Sequence, residues 1–183
     1  MAQAAVKKTR QTYADYLETP EGGGYQLIEG SIVRSPSPST RHQMISVDLA
    51  FELTKCARER NLGTVLVAPM DVYFDDETTV QPDLMLISKS RADIIEERFI
   101  RGTPDLVVEI VSETSAHQDM VLKKRLYAHF GVKEYWIVIP EEEAIDVYVL
   151  HDNAYDLRVR FRKTDTAESA TVPGITIDMA NVF

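Results

Sequence analysis

The chain has 183 residues, enough for one domain with a sizeable core and too few for two comfortable ones. Its 44% hydrophobic and 27% charged residues exclude a disordered polymer, and no run approaches the ~20 apolar residues of a membrane-spanning helix. A net charge of −9 lowers the expectation of tight, non-specific nucleic-acid binding, for which phosphate neutralisation requires a basic face.

Met1 to Arg10 is polar and lacks the apolar stretch of a secretory signal, so a cytoplasmic protein is expected. Thr12 followed three residues later by Asp15 has the spacing of a capped helix start. Gly22, Gly23 and Gly24 then break the chain, and Tyr25 to Val33 reads as a hairpin turning at Glu29 and Gly30. The stretch from Ser35 to Ser39, with Pro36 and Pro38, is a loop too short to separate domains. With no internal repeat either, residues 1–183 read as a single domain. Thr40 can cap a helix running to about Arg60, on which Ile45, Leu49, Leu53 and Cys56 form one apolar face. Cys56 has no second cysteine to pair with and falls in that core pattern.

Strands follow at Thr64 to Val67, Val72 to Phe74 and Asp83 to Ile87, and a polar helical stretch is expected over Ser90 to Arg98. Leu106 to Val111 is nearly continuous in β-branched residues, as in a strand covered on both faces. Ser112 to Ser115 supply caps for a helix from about Ala116 to Phe130, stopped by Gly131. Glu134 to Ile139 is another buried strand, and Ile145 to Leu150 with Tyr155 to Arg162 extend it as a meander. Strand–helix–strand around Leu106 to Ile139 implies a parallel pair joined by a crossover. The expected fold is α/β, a mixed sheet with helices packed on it.

Glu109 is out of place in a run of Leu, Val and Ile, where ionisable side chains are rarely buried unless paired or coordinated. A sheet edge or an arginine partner would explain it as well as a functional site. Alternation puts Asp105, Val107, Glu109 and Val111 on one face. Asp105 and Glu109 lie roughly 13 Å apart along the strand, too far to share an ion whose ligands sit at about 2.0–2.5 Å. Asp83, after Pro82 on a neighbouring strand, can converge with Glu109, although aspartate after proline is also common turn chemistry. Asp119, Lys123 and Tyr127 stack on one helical face, from which Lys123 either reaches Glu109 or pairs with Asp119 in solvent. His42, in the first turn of the long helix, lines the site or only packs. Glu29, at the hairpin tip, is a turn residue or a third carboxylate. Lys123, Lys124 and Arg125, with Arg158, Arg160, Arg162 and Lys163, form a local basic patch or an ordinary solvated surface. No histidines or cysteines stand at zinc-ligand spacing, and no phosphate-binding glycine loop or nucleophile elbow is present.

These residues fall in a recognisable order: Tyr25 to Gly30, His42, Val80 to Leu84, and Gly102 to Ser112. Asp119, Lys123 and Tyr127 follow, then Gly131 to Val138 and Val172 to Gly174. In this the chain resembles the Uma-type putative restriction endonuclease family, a branch of the PD-(D/E)XK nuclease superfamily. The resemblance implies a restriction-endonuclease-like core with flanking helices and hydrolysis of phosphodiester bonds in DNA. It further implies Mg²⁺ (or Mn²⁺) held by Asp83 and Glu109, and Lys123 as the catalytic cation. His42, Glu29, Asp119 and Tyr127 would support them, and a homodimer would supply two active sites for duplex cleavage. The superfamily's lysine lies two residues after the glutamate, where this chain has Val111, so Lys123 on the next helix must replace it, with Lys124 as the neighbouring alternative. Gln26 stands where the family often has an acidic residue. A second class remains open: a non-catalytic or regulatory nucleic-acid-associated protein retaining the nuclease fold.

Overall fold

The computed structural model describes residues 10–112 and 118–183, and the side chains of residues 118–120 lie outside the description. Helix α1 (Tyr13–Leu17) starts as the spacing predicts, with the Asp15 carboxylate accepting from the Thr12 backbone N–H at 2.7 Å and its hydroxyl at 2.9 Å. Strands β1 (Tyr25–Ile28) and β2 (Ser31–Arg34) form the expected hairpin. Its two turn residues, Glu29 at φ 48° and Gly30 at φ 75°, take the left-handed conformation that lets a two-residue loop follow the strand twist.

Helix α2 (Thr40–Glu59) buries Ile45, Leu49, Leu53 and Cys56 as predicted, together with Ala57. Its cap is Ser39, whose hydroxyl accepts from His42 N–H at 3.2 Å, one residue before the expected Thr40. Strands β3 (Gly63–Val67), β4 (Val72–Asp75), β5 (Thr78–Val80) and β6 (Leu84–Ser88) follow. The helix expected over Ser90 to Arg98 is instead a 3₁₀ segment, Lys89–Ile94, broken at Arg91 (φ −120°, ψ 18°). The chain then extends so that fully buried Ile100 can pair with Val72 through β7 (Ile100–Arg101). Burial of one isoleucine decides this stretch over its weak helical preference.

Strand β8 (Leu106–Ile110) is buried along its whole length. A π-helical segment, Gln118–Lys123, runs directly into α3 (Lys124–His129), which stops before Gly131 at φ 77°. The expected helix start at Ala116 and the caps at 113–115 lie outside the described residues. Strand β9 (Glu134–Ile139) has the limits read from sequence, and β10 (Ala144–His151) and β11 (Ala154–Arg162) complete the meander. Strands β12 (Thr166–Glu168) and β13 (Thr176–Asp178) pair with each other near the C-terminus.

The main sheet has the order β11-β10-β9-β8-β6-β3, antiparallel except for the parallel β8–β9 pair that the crossover spacing predicts. A second sheet has the order β2-β1-β5-β4-β7. On one face of the main sheet, Leu106, Val108 and Ile110 pack with Leu49 and Leu53 of α2. On the other, Val107 and Val111 share a core with Leu126 and Tyr127, and with Val72, Val80 and Ile100 of the second sheet. The result is a mixed α/β architecture with β8 at its centre.

Candidate active site

Strand β8 lies between β6 and β9, which rules out a sheet edge as the explanation of Glu109. Glu109 is 2% exposed and Lys123 4% exposed, and Lys123 Nζ lies 2.8 Å from Glu109 Oε1. The hydroxyl of Tyr127 donates to the same oxygen at 2.6 Å. The partner of the buried carboxylate is therefore a lysine from the following helix, and Lys123 is not in solvent. The side chain of Asp119, its other expected partner, lies outside the described residues.

The β6–β8 register pairs Leu84 with Val108 and Met85 with Val107, so one further step sets Asp83 opposite Glu109. Residues directly opposite on antiparallel strands have Cβ atoms about 4.5–5.5 Å apart on one face. Asp83 Oδ2 accepts from the Ile110 backbone N–H at 2.7 Å and lies 3.2 Å from His42 Nε2. The first turn of α2 thus brings His42 to the aspartate. Asp105 lies at the other end of β8, where its carboxylate accepts from Ser88 N–H at 2.8 Å and lies 3.4 Å from Arg91 Nη1.

His42, Asp83, Glu109 and Lys123 line one open cleft of about 340 Å³. Its other walls are the Gly22–Gly24 loop, the Ser35–Pro38 loop and the buried Gln26. Gln26 Nε2 donates to Ser35 Oγ at 2.5 Å, and its Oε1 accepts from Gln81 N–H at 3.0 Å, tying the hairpin to the segment that leads into Asp83. In the sequence Gln26 stands where the family often has an acidic residue and Gln81 falls in the Val80 to Leu84 segment, but neither was expected to build the site.

Glu29 does not line this cleft: it is exposed in the hairpin turn and accepts from Arg125 Nη2 at 2.8 Å. Lys124 points elsewhere, with its Nζ 3.5 Å above the Tyr148 ring, and burial lowers its pKa. In the two basic clusters Arg125, Arg160 and Lys163 are paired with carboxylates, while Arg158 and Arg162 are exposed. Arg160 makes two bonds to Asp146, at 2.5 and 2.8 Å, and Lys163 pairs with Glu143 at 3.0 Å. The Asp146 hydrogen bonds push the Arg160 pKa further up.

Asp83 and Glu109 offer hard oxygen donors to one cleft, a donor set suited to Mg²⁺ or Mn²⁺. Among the described residues, no three His, Cys, Asp or Glu side chains gather at one point. An ion there would complete its shell with water and substrate oxygens, which is how Mg²⁺ is ordinarily bound.

The family model described as "Uma2: Putative restriction endonuclease" matches residues 11–180. No curated protein matches. Among solved structures, the fold is similar to that of a putative nuclease of DUF820 from Anabaena variabilis. That comparison has a TM-score of 0.76 and 18% identity, and covers 94% of this chain and 97% of the other. No helix among the described residues is long and apolar enough to cross a membrane.

Proposed function

The chain belongs to the Uma2 family of putative restriction endonucleases, and we propose that it is a metal-dependent endonuclease that hydrolyses phosphodiester bonds in DNA. The observation that carries this reading is the buried contact of Lys123 Nζ with Glu109 Oε1 at 2.8 Å, in the cleft that Asp83 also lines. It supplies from the next helix the cation that Val111 does not provide.

In this proposal Asp83 and Glu109 hold the ion. A divalent ion held there would supply Lewis-acid polarisation of the phosphate and a lowered pKa for the attacking water. The Ile110 N–H and His42 fix Asp83 in place, and the Tyr127 hydroxyl fixes Glu109. Lys123, desolvated and oriented, stabilises the charge that develops on the phosphate oxygens. Gln26 holds the Ser35 loop that forms the wall opposite. We further propose that residues 1–183 act as one restriction-endonuclease-like domain in the cytoplasm. A homodimer would present one site to each strand of a duplex.

The second reading is a nucleic-acid-associated protein that keeps this fold without cleaving. The net charge of −9 and the pairing of Arg125, Arg160 and Lys163 with carboxylates favour it. A cleavage assay on single- and double-stranded DNA with Mg²⁺ or Mn²⁺ separates the two. The nuclease reading expects cleavage by the wild type, with Glu109→Gln and Lys123→Met each about a hundredfold slower or worse. Activity surviving in both variants would mean the site is elsewhere. No cleavage and no metal binding by the wild type would favour the second reading.

A further inference from the structure

A second hollow of about 590 Å³ adjoins the acidic cleft, and the Gly22–Gly24 loop and Gln81 line both. Its size falls in the range of about 300–1,000 Å³ typical of small-molecule sites. The walls are aromatic: Tyr13, Tyr25 and Phe99 all line it and are half-buried. The Tyr13 ring is held edge-on against Tyr73, centroids 4.8 Å apart, and lies 6.1 Å from Phe99, so packing fixes its plane. Tyr16 and Asp71 form the floor. Tyr16 Oη and Gln81 Nε2 both donate to Asp71 Oδ1 at 2.8 Å, and the other carboxylate oxygen has no donor among the described residues. The nuclease chemistry uses none of these rings, and a core would bury them further.

We propose that this hollow is a nucleobase subsite, a reading that rests on the phosphodiester assignment of the neighbouring cleft. A base beside the bound phosphate leaves its stack and lies against the Tyr13, Tyr25 and Phe99 rings. Stacking of this kind accepts any base, because every base has a π-face. The Asp71 carboxylate adds discrimination: it accepts from an exocyclic amino group, so cytosine, adenine or guanine is preferred to thymine or uracil. Extruding a base is least costly from a single strand or a mismatch, so such substrates bind better than an intact duplex.

The test uses the full chain and a short single-stranded thymidine oligonucleotide with one central 2-aminopurine, in chelator so that no cleavage competes. Wild type is expected to quench the 2-aminopurine fluorescence. Tyr13→Leu and Phe99→Leu, checked for folding by Trp136 emission, are expected to bind about tenfold more weakly and to restore the fluorescence. Replacing the 2-aminopurine by an abasic residue removes the difference between wild type and variants, which a merely structural role for Tyr13 would not do. Asp71→Asn is expected to narrow the preference for a central cytosine over thymine. Equal binding of the base-bearing and abasic oligonucleotides by folded wild type and Tyr13→Leu overturns the subsite, whatever the cleavage assay gives. Quenching by a wild type that cleaves nothing keeps the subsite and rejects the nuclease reading alone.

Discussion

Replacing Lys123 by methionine removes the ammonium that lies 2.8 Å from the Glu109 carboxylate, which is 2% exposed. At 2.8 Å the attraction between the two charges is about 6 kcal/mol at an effective dielectric constant of ~20. Breaking a buried pair in this way typically costs about 3–5 kcal/mol. The Tyr127 hydroxyl still donates to the same oxygen, which moves the expected loss towards the lower end of that range. Glu109→Gln alone removes the carboxylate from Lys123 and should also destabilise. The double variant, neutral at both positions, should lose less than the sum of the two single losses, with a coupling energy of about 2–3 kcal/mol. Urea unfolding followed by the emission of Trp136, the only tryptophan, measures all four proteins, and an unchanged slope with denaturant secures the comparison. Lys123→Met within ~0.5 kcal/mol of wild type, or a double variant equal to the sum of the singles, would refute the buried pair.

Glu134 is fully buried and accepts from Trp136 Nε1, Ser169 Oγ, Ala170 N–H, and the Thr171 N–H and hydroxyl, which clasps residues 169–171 to β9. Glu134→Ala should cost about 3 kcal/mol or more in urea unfolding, by leaving several buried donors unmade. Burial raises the Tyr155 and Tyr16 phenol pKa values above 10.0, with nearby Glu134 adding to the first and Asp71 to the second. Their neutral forms are favoured by folding, so this stability is complete below pH 10 and is lost as pH rises through the folded values. Tyr155→Phe should flatten the alkaline loss, measured as the urea midpoint against pH. A Cβ on Gly63 would stand 2.1 Å from the Ile87 carbonyl oxygen, so Gly63→Ala should lower the urea midpoint by an amount equivalent to about 1–3 kcal/mol. Millimolar Mn²⁺ should raise the Tm of the wild type and leave that of an Asp83→Asn, Glu109→Gln variant unchanged, because only a native-state ligand shifts the folding equilibrium.

The parts of the fold legible in the sequence are those where burial imposes a period. Strand β9 was readable because Tyr135 to Ile139 is a continuous apolar run, and the hairpin because Glu29-Gly30 is turn chemistry between strands. β5 and β7 have three and two residues, too few to display alternation, and their pairing is decided by which residues the core accepts. The convergence of Asp83 with Glu109 was accessible because Glu109 interrupts an apolar strand and Asp83 stands at the head of a neighbouring one. Gln26 is a buried neutral amide and Gln81 a half-buried one, and a neutral amide costs less to bury than a charge and so stands out less. The spacing of Lys123 and Tyr127 was readable, but their reach was not. It depends on a π-helical segment, which has no hydrophobic period of its own.

That segment explains how the cation can leave the strand. Val111, two residues after Glu109, belongs to the same core as Leu126, Tyr127 and Tyr135 and is 5% exposed. A lysine there would displace apolar packing at the place where α3 meets β8. Lys123 ends the π-helical segment, and Tyr127 lies one turn further into α3, so both reach Glu109 Oε1 from one helical face. Leu126 and Tyr127 hold that helix on the sheet through the core that contains Val111. The cation at the carboxylate is therefore fixed by helix docking, whereas a strand lysine would be fixed by the sheet itself. Any change that loosens α3 lengthens the Lys123–Glu109 contact before it disturbs the Asp83–Glu109 register, which the sheet alone maintains.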